Sequence, residues 1–254
     1  MSTTAEPGDH QIAFFLQVYR DHDLAAACLR RLRRVYPSAR VDVVSDGDDD
    51  PRYPALARRF GASFTRGERL YALACGGRLH QRMLDAFLAA PVPWLFKIDP
   101  DSALHRRFRH APDACAVFGT LERRTEGSGT VLDPPSVQGG VVGFTLEAAR
   151  RLRDSGIFLS RELLDPERSW ACCPDMVRRA GLGLVSFDFI LRWACMRLEV
   201  PMVDYDEVRS MWREEVRNPG LRYAATHPHK RVPRWDRLRL AWSGLLRARA
   251  SGQR

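Results

Sequence analysis

Trp94-Leu95-Phe96-Lys97-Ile98-Asp99-Pro100-Asp101 is the stretch on which the fold turns. Pro91 and Pro93 lead into a short apolar run that suits a strand buried on both faces, the kind found in a parallel sheet covered by helices. The run stops at Asp99-Pro100-Asp101. Upstream, Arg78 to Ala89 places Leu79, Met83, Leu84, Phe87 and Leu88 on one helical face. Further back, Gln11 to Val18 predicts another buried strand. Leu24 to Val35 predicts a helix with Leu24, Cys28, Leu29, Leu32 and Val35 inward, Asp23 as N-cap and Pro37 beyond its end. Arg40 to Ser45 predicts a second strand, stopped by the acidic turn Asp46 to Asp50. A short helix near Tyr53 to Phe60 and a strand near Ala62 to Thr65 complete a third unit.

Downstream, Ala114 to Thr120 predicts a strand and Glu122 to Pro135 a loop or mobile hairpin. Val137 to Thr145 predicts a strand whose glycines mark close backbone approach, and Glu147 to Asp154 a helix. The rest, to about Val208, is expected to hold two helices and a short strand, Pro201 to Asp204. Strands alternating with helices imply an α/β fold with a mostly parallel sheet and helices on both faces. Ligands of such sheets bind outside the carboxyl ends of the strands, where Asp46, Asp99 and Asp101 fall.

Composition narrows the function classes. The 254 residues are 45% hydrophobic and 28% charged, enough to bury a substantial core. No run of apolar residues is long enough for a spanning helix, and MSTTAEPGDH lacks the basic start and apolar core of a secretory signal. A cytoplasmic location is expected. The six cysteines form no CxxC pair and read as reduced thiols; the vicinal pair Cys172-Cys173 has poor geometry for a disulfide or a zinc site. Residues 230–254 carry eight of the 40 bases against one of the 31 acids, so most of the +9 charge belongs to this tail. The nearly neutral body argues against a nucleic-acid partner.

Two carboxylates two residues apart, just past a buried strand, can converge on one hard cation, Mn2+ or Mg2+, which would bridge to a diphosphate. The competing reading is a solvated turn in which Asp101 caps a helix. At this point the chain resembles the GT-A nucleotide-sugar glycosyltransferases. IAFFLQVYRDHDLAAACLRRL looks like their first strand and helix, VDVVSDGDDD like the second strand with its acidic turn, WLFKIDPD like the DxD strand, and VQGGVVGFT like the strand lining the sugar pocket. The similarity runs from about Gln11 to His229, so residues 1–229 are expected to form a GT-A domain, a Rossmann-like three-layer sandwich, followed by the tail.

The resemblance implies a role for each matching position. Asp46 would contact the nucleoside, Asp99 the ribose or the metal, and Asp101 the metal on the donor diphosphate. Gly139 and Gly140 would let the backbone approach the donor sugar; Lys97 would help bind the donor, and Lys230 (or Arg231) would hold a donor phosphate. In Ser186-Phe187-Asp188, Asp188 matches the second acid of a pair that supplies the general base of inverting enzymes, while Phe187 stands where the first acid would be; Asp175 is the reserve candidate. His227, with His229 close behind, would complete the metal shell. Plain structural readings stand beside these: an Asp-Gly turn for Asp46, a bulge for the glycines, a helix-dipole acid for Asp188, and a surface pair for the histidines.

The expected reaction moves a sugar from a nucleoside-diphosphate donor to a hydroxyl acceptor on a small molecule, glycan or lipid-linked group. Inversion is favoured because the N-terminal half looks most like the large family containing chitin and cellulose synthases. His227, Lys230, Pro233 and Trp235 resemble the ending of glycogenin-like retaining enzymes, without its internal glycine, and keep retention open. Residues 232–249 form a basic amphipathic stretch suited either to peripheral membrane contact or to packing on the domain. The alternatives are a membrane-associated scaffold on a decayed GT-A fold, and a sugar-phosphate nucleotidyltransferase. The latter needs a Gly-rich phosphate loop where Tyr19-Arg20-Asp21-His22 stands.

Overall fold

The computed structural model describes residues 3–4, 6–70, 76–124, 131–160, 187–211 and 222–228. Its strands are β1 (Thr3–Thr4), β2 (Ile12–Val18), β3 (Arg40–Asp46), β4 (Ser63–Gly67), β5 (Trp94–Ile98) and β6 (Ala103–Leu104). These are followed by β7 (Ala111–Pro112), β8 (Val117–Arg124), β9 (Val131–Thr145), β10 (Met202–Asp204), β11 (Val208–Met211) and β12 (Ala225–Pro228). The helices are α1 (His22–Val35), α2 (Arg52–Arg59), α3 (Gly76–Leu88), α4 (Leu146–Asp154) and α5 (Phe187–Arg197). No helix among the described residues is long and apolar enough to cross a membrane.

Seven strands form a mostly parallel sheet in the order β10-β8-β9-β5-β2-β3-β4. Neighbours from β5 to β4 are parallel, as are β8 and β10; β9 alone runs against both β5 and β8. The apolar runs predicted to be buried on both faces do lie inside the sheet: all five residues of β5 are buried, and six of seven in β2. The outermost β4, Ser-Phe-Thr-Arg-Gly, has no buried residue, as suits a strand paired on one side only.

Strand alternation builds two cores. Ile12, Phe14, Leu16 and Val18 pack with Ala25, Cys28, Leu29 and Leu32 of α1 and with Tyr53, Leu56 and Ala57 of α2. Ala13 and Phe15 join Met83, Leu84 and Phe87 of α3, Ala148, Ala149 and Leu152 of α4, and Ile190, Leu191 and Ala194 of α5. Beside β5, Phe96 stacks on Phe108 at 4.3 Å and 9° and meets Phe118 edge-on at 5.3 Å. Tyr205 closes the same aromatic group.

Several expectations need adjustment. Helix α1 begins at His22 with Asp21, not Asp23, at the N-cap position. Asp21 is engaged there through its Oδ1, which accepts from the Tyr19 amide and the Tyr53 hydroxyl. Leu24 is 50% exposed because the buried stripe runs through Ala25, Cys28, Leu29 and Leu32, one residue out of phase with it. Strand β8 begins at Val117 rather than Ala114, the chain just before it being held by reciprocal bonds between Ala116 and Thr145. The polar stretch after it is paired: Glu122 lies opposite Ser136 and Arg124 opposite Val131, making arms of a β8–β9 hairpin. Cys28, Cys115 and Cys195 are free thiols, and burial pushes the Cys28 thiol up to about 12. Cys75, Cys172 and Cys173 lie outside the described residues, as does the tail.

Truncating the centre of the aromatic group tests this packing. Phe96→Ala should lower unfolding free energy by about 3–5 kcal/mol, measured by urea denaturation followed by tryptophan fluorescence.

Candidate functional site

The antiparallel course of β9 assembles the site. Strand β5 ends at Ile98, opposite Val141, so the residues of β9 just before Val141 run alongside the Asp99-Pro100-Asp101 turn. The Gly140 carbonyl accepts from the Asp99 amide at 2.8 Å and from Ser102 Oγ at 3.1 Å, fixing both ends of that turn. Immediately after the turn, β6 pairs antiparallel with β12, Ala103 opposite Thr226 and Leu104 opposite Ala225. His227 therefore arrives beside Asp101 by strand pairing, from a point far along the chain.

Asp99, Asp101 and His227 each offer a ligand atom, all within 4.8 Å of one another. His227 Nε2 lies 3.2 Å from Asp101 Oδ1 and 3.4 Å from Asp99 Oδ2. Asp101 Oδ1 and His227 Nε2 are both buried and lack a hydrogen-bond partner, although close enough to form an ion pair. A buried carboxylate oxygen and imidazole nitrogen that meet without a well-aligned hydrogen bond leave capacity that a cation between them would use. A carboxylate pair with one imidazole is a suitable donor set for a divalent cation such as Mn2+, so the residues present fit the group. Burial works against a proton on His227, but the Asp101 and Asp99 carboxylates beside it outweigh burial and hold the imidazole above its ordinary value.

Lys97 is buried and points into the protein. Its Nζ lies 2.5 Å from Asp99 Oδ1 and donates to the Gly139 carbonyl. Its observed partners are thus Asp99 and the β9 backbone. Asp188 stands in the first turn of α5, as predicted, with its carboxyl among protein atoms. Burial pushes that carboxyl up; the Lys97 charge and a hydrogen bond from the Gly139 amide act in the opposite direction.

The adjacent glycines have a definite steric role. A Cβ on Gly139 would overlap the Asp188 carboxylate, and one on Gly140 would overlap the His227 ring. Their missing side chains are the space in which these two groups sit.

Asp46 is buried at the end of β3, and both its oxygens are taken within the protein. Oδ1 accepts from the Leu70 amide at 2.7 Å and from Arg82 at 3.1 Å, and Oδ2 from Arg69 at 3.1 Å. The Arg69 guanidinium also lies over the Tyr19 ring, 3.2 Å from its centroid. Asp175, His229, Lys230 and Arg231 lie outside the described residues.

Some contributors carried no readable pattern. Ser102, which anchors the turn, is an ordinary serine in sequence. His80 was hidden on the apolar side of α3: it is fully buried, stacks on Phe187 and Phe158, and donates from Nε2 to the Phe187 carbonyl at 2.9 Å. Burial drives its imidazole down to about 3, so it is neutral and holds the first residue of α5, next to Asp188.

No protein family model matches the chain, and no curated protein is significantly similar to it.

Gly140→Ala should displace His227 and weaken Mn2+ binding by about 10–100-fold, measured by isothermal titration calorimetry, with the unfolding midpoint changed far less than by Phe96→Ala.

Proposed function

We propose that the chain is a metal-dependent glycosyltransferase of the GT-A type, a three-layer α/β sandwich. It would move a sugar from a nucleoside-diphosphate donor to a hydroxyl acceptor with inversion. The observation that carries this reading is the meeting of Asp99, Asp101 and His227, whose ligand atoms lie within 4.8 Å of one another, close to the half-buried Asp188. Six parallel strands and one antiparallel strand bring this group to the carboxyl end of β5, where ligands of such sheets bind.

Mn2+ or Mg2+ held by Asp99, Asp101 and His227 would offset the charge of the departing diphosphate. Asp188 acts as general base. It takes the proton of the acceptor hydroxyl while that oxygen bonds to the anomeric carbon and the bond from that carbon to the diphosphate oxygen breaks. Its desolvated carboxyl is pushed towards the neutral range in which a base of this kind works best. Lys97 keeps Asp99 in place and offsets the local excess of carboxylate. In this reading Asp46 supports the nucleoside side of the site by holding Arg69, Arg82 and the Leu70 backbone together.

Equilibrium binding of UDP-sugars and GDP-sugars with and without Mn2+ tests the core of the proposal. Mn2+-dependent binding with slow donor hydrolysis is expected, and Asp101→Ala should abolish both. Tight binding that ignores metal, or no binding to any nucleotide sugar, overturns it. Asp188→Asn should leave donor binding intact and lower the transfer rate by about 10²–10⁴-fold in a steady-state assay.

The metal must also displace the proton that Asp101 and Asp99 favour on His227. With that group raised, protonation competes at lower pH and fades as pH climbs past its titration. Mn2+ affinity should therefore rise with pH through the His227 titration, which lies above the ordinary imidazole value, and level off beyond it, read by calorimetry at a series of pH values.

A further inference from the structure

Strand β12 delivers His227, yet it spans four residues between two short edge strands, β11 of four residues and β6 of only two. So small a sheet has little stability of its own, and something outside its ladder must hold the histidine in register. Glu207 meets that need. Its residue is fully buried, and its carboxylate accepts from Arg106 through both terminal nitrogens, from Arg109 Nε at 2.8 Å and from the Arg109 amide at 3.2 Å. Its main-chain carbonyl accepts from the Ala224 amide at 2.8 Å and the Ala225 amide at 3.1 Å, where β12 begins. Arg106 closes the loop by donating to the Arg222 carbonyl at 2.8 Å. One residue thus ties the segment leaving the Asp99-Pro100-Asp101 turn to the segment that brings His227.

Glu207 also stands within reach of His110 and Asp206, a group that has the composition of a cation site. Both of its oxygens, however, are covered by guanidinium groups, whose charge opposes a cation. Its chemistry is that of a clamp.

We propose that Glu207, through Arg106 and Arg109, is the positioning residue that sets His227 against Asp101. This rests on the metal reading above. The test measures Mn2+ affinity of the full chain for the wild type, Glu207→Gln, His227→Asn and the two combined. Glu207→Gln should weaken Mn2+ by about 10–100-fold. The combined variant should bind no more weakly than His227→Asn alone, because the clamp acts only through that histidine.

Asp9→Asn, which breaks the neighbouring ion pair of Arg107, should leave Mn2+ affinity unchanged. Wild-type affinity in Glu207→Gln, additive losses in the combined variant, or an equal loss in Asp9→Asn each overturns the proposal. If Glu207→Gln does not fold, as judged by near-UV circular dichroism, Arg106→Lys carries the test. One ammonium cannot serve both Glu207 and the Arg222 carbonyl as the guanidinium fork does, so a smaller loss, again absent in the His227→Asn background, is expected, and unchanged affinity overturns the proposal. Absence of Mn2+ binding in the wild type is a different result: it removes the metal reading itself.

Discussion

The carbonyl of Gly140 is the joint on which the candidate site depends. By accepting from the Asp99 amide and the Ser102 hydroxyl, it holds the turn after β5 against a strand running the opposite way. Had β9 been parallel to β5, its glycines would have come to the turn in the reverse order. The sheet is otherwise parallel here, and this single reversal lets a strand pass the carboxyl end of its neighbour and continue into a hairpin with β8. The turn, Asp188 and His227 are all positioned with respect to that strand.

Charge is the second constraint. Asp99, Asp101 and Asp188 form a concentration of carboxylate in a partly desolvated space, answered within the described residues by Lys97 and His227. Buried ionic groups contribute little net stability but lose heavily when one partner is removed. Lys97 consequently has a structural part that its residue type alone does not disclose. It bonds the backbone of one glycine and the carboxylate of Asp99 together, where the sequence suggested a donor-binding cation.

Legibility in the sequence followed the range of the interactions. Strand β5 and the positions of Asp99, Asp101 and Asp188 were readable because apolar runs and helix starts leave local patterns. The direction of β9 was not, since periodicity fixes which residues face the core but says nothing about which way a strand enters the sheet. The two glycines were flagged for close approach to a sugar; what approaches them in the structure is the Asp188 carboxylate and the His227 ring. Strand β6 was invisible at two residues, and with it the pairing that brings His227 to Asp101. Glu207 lay in the run Asp204 to Glu207 with nothing to mark it, because its arginine partners are about a hundred positions away. Leu24 misled because a single apolar residue beside a helical stripe is compatible with two phases, and packing chose the other one.

Adjacent residues of a strand face opposite sides of a sheet. That alternation breaks within β9, where Val137 and Val142 share one core and the pairing with β8 slips; over this irregular stretch Asp188 arrives against Gly139 from α5 and His227 against Gly140 from β12. The two halves of the site meet at this strand, with Lys97, bonded to Asp99 and to the Gly139 carbonyl, between them. Two consecutive glycines therefore make room for two groups from distant parts of the chain, and a side chain at either position would move one of them.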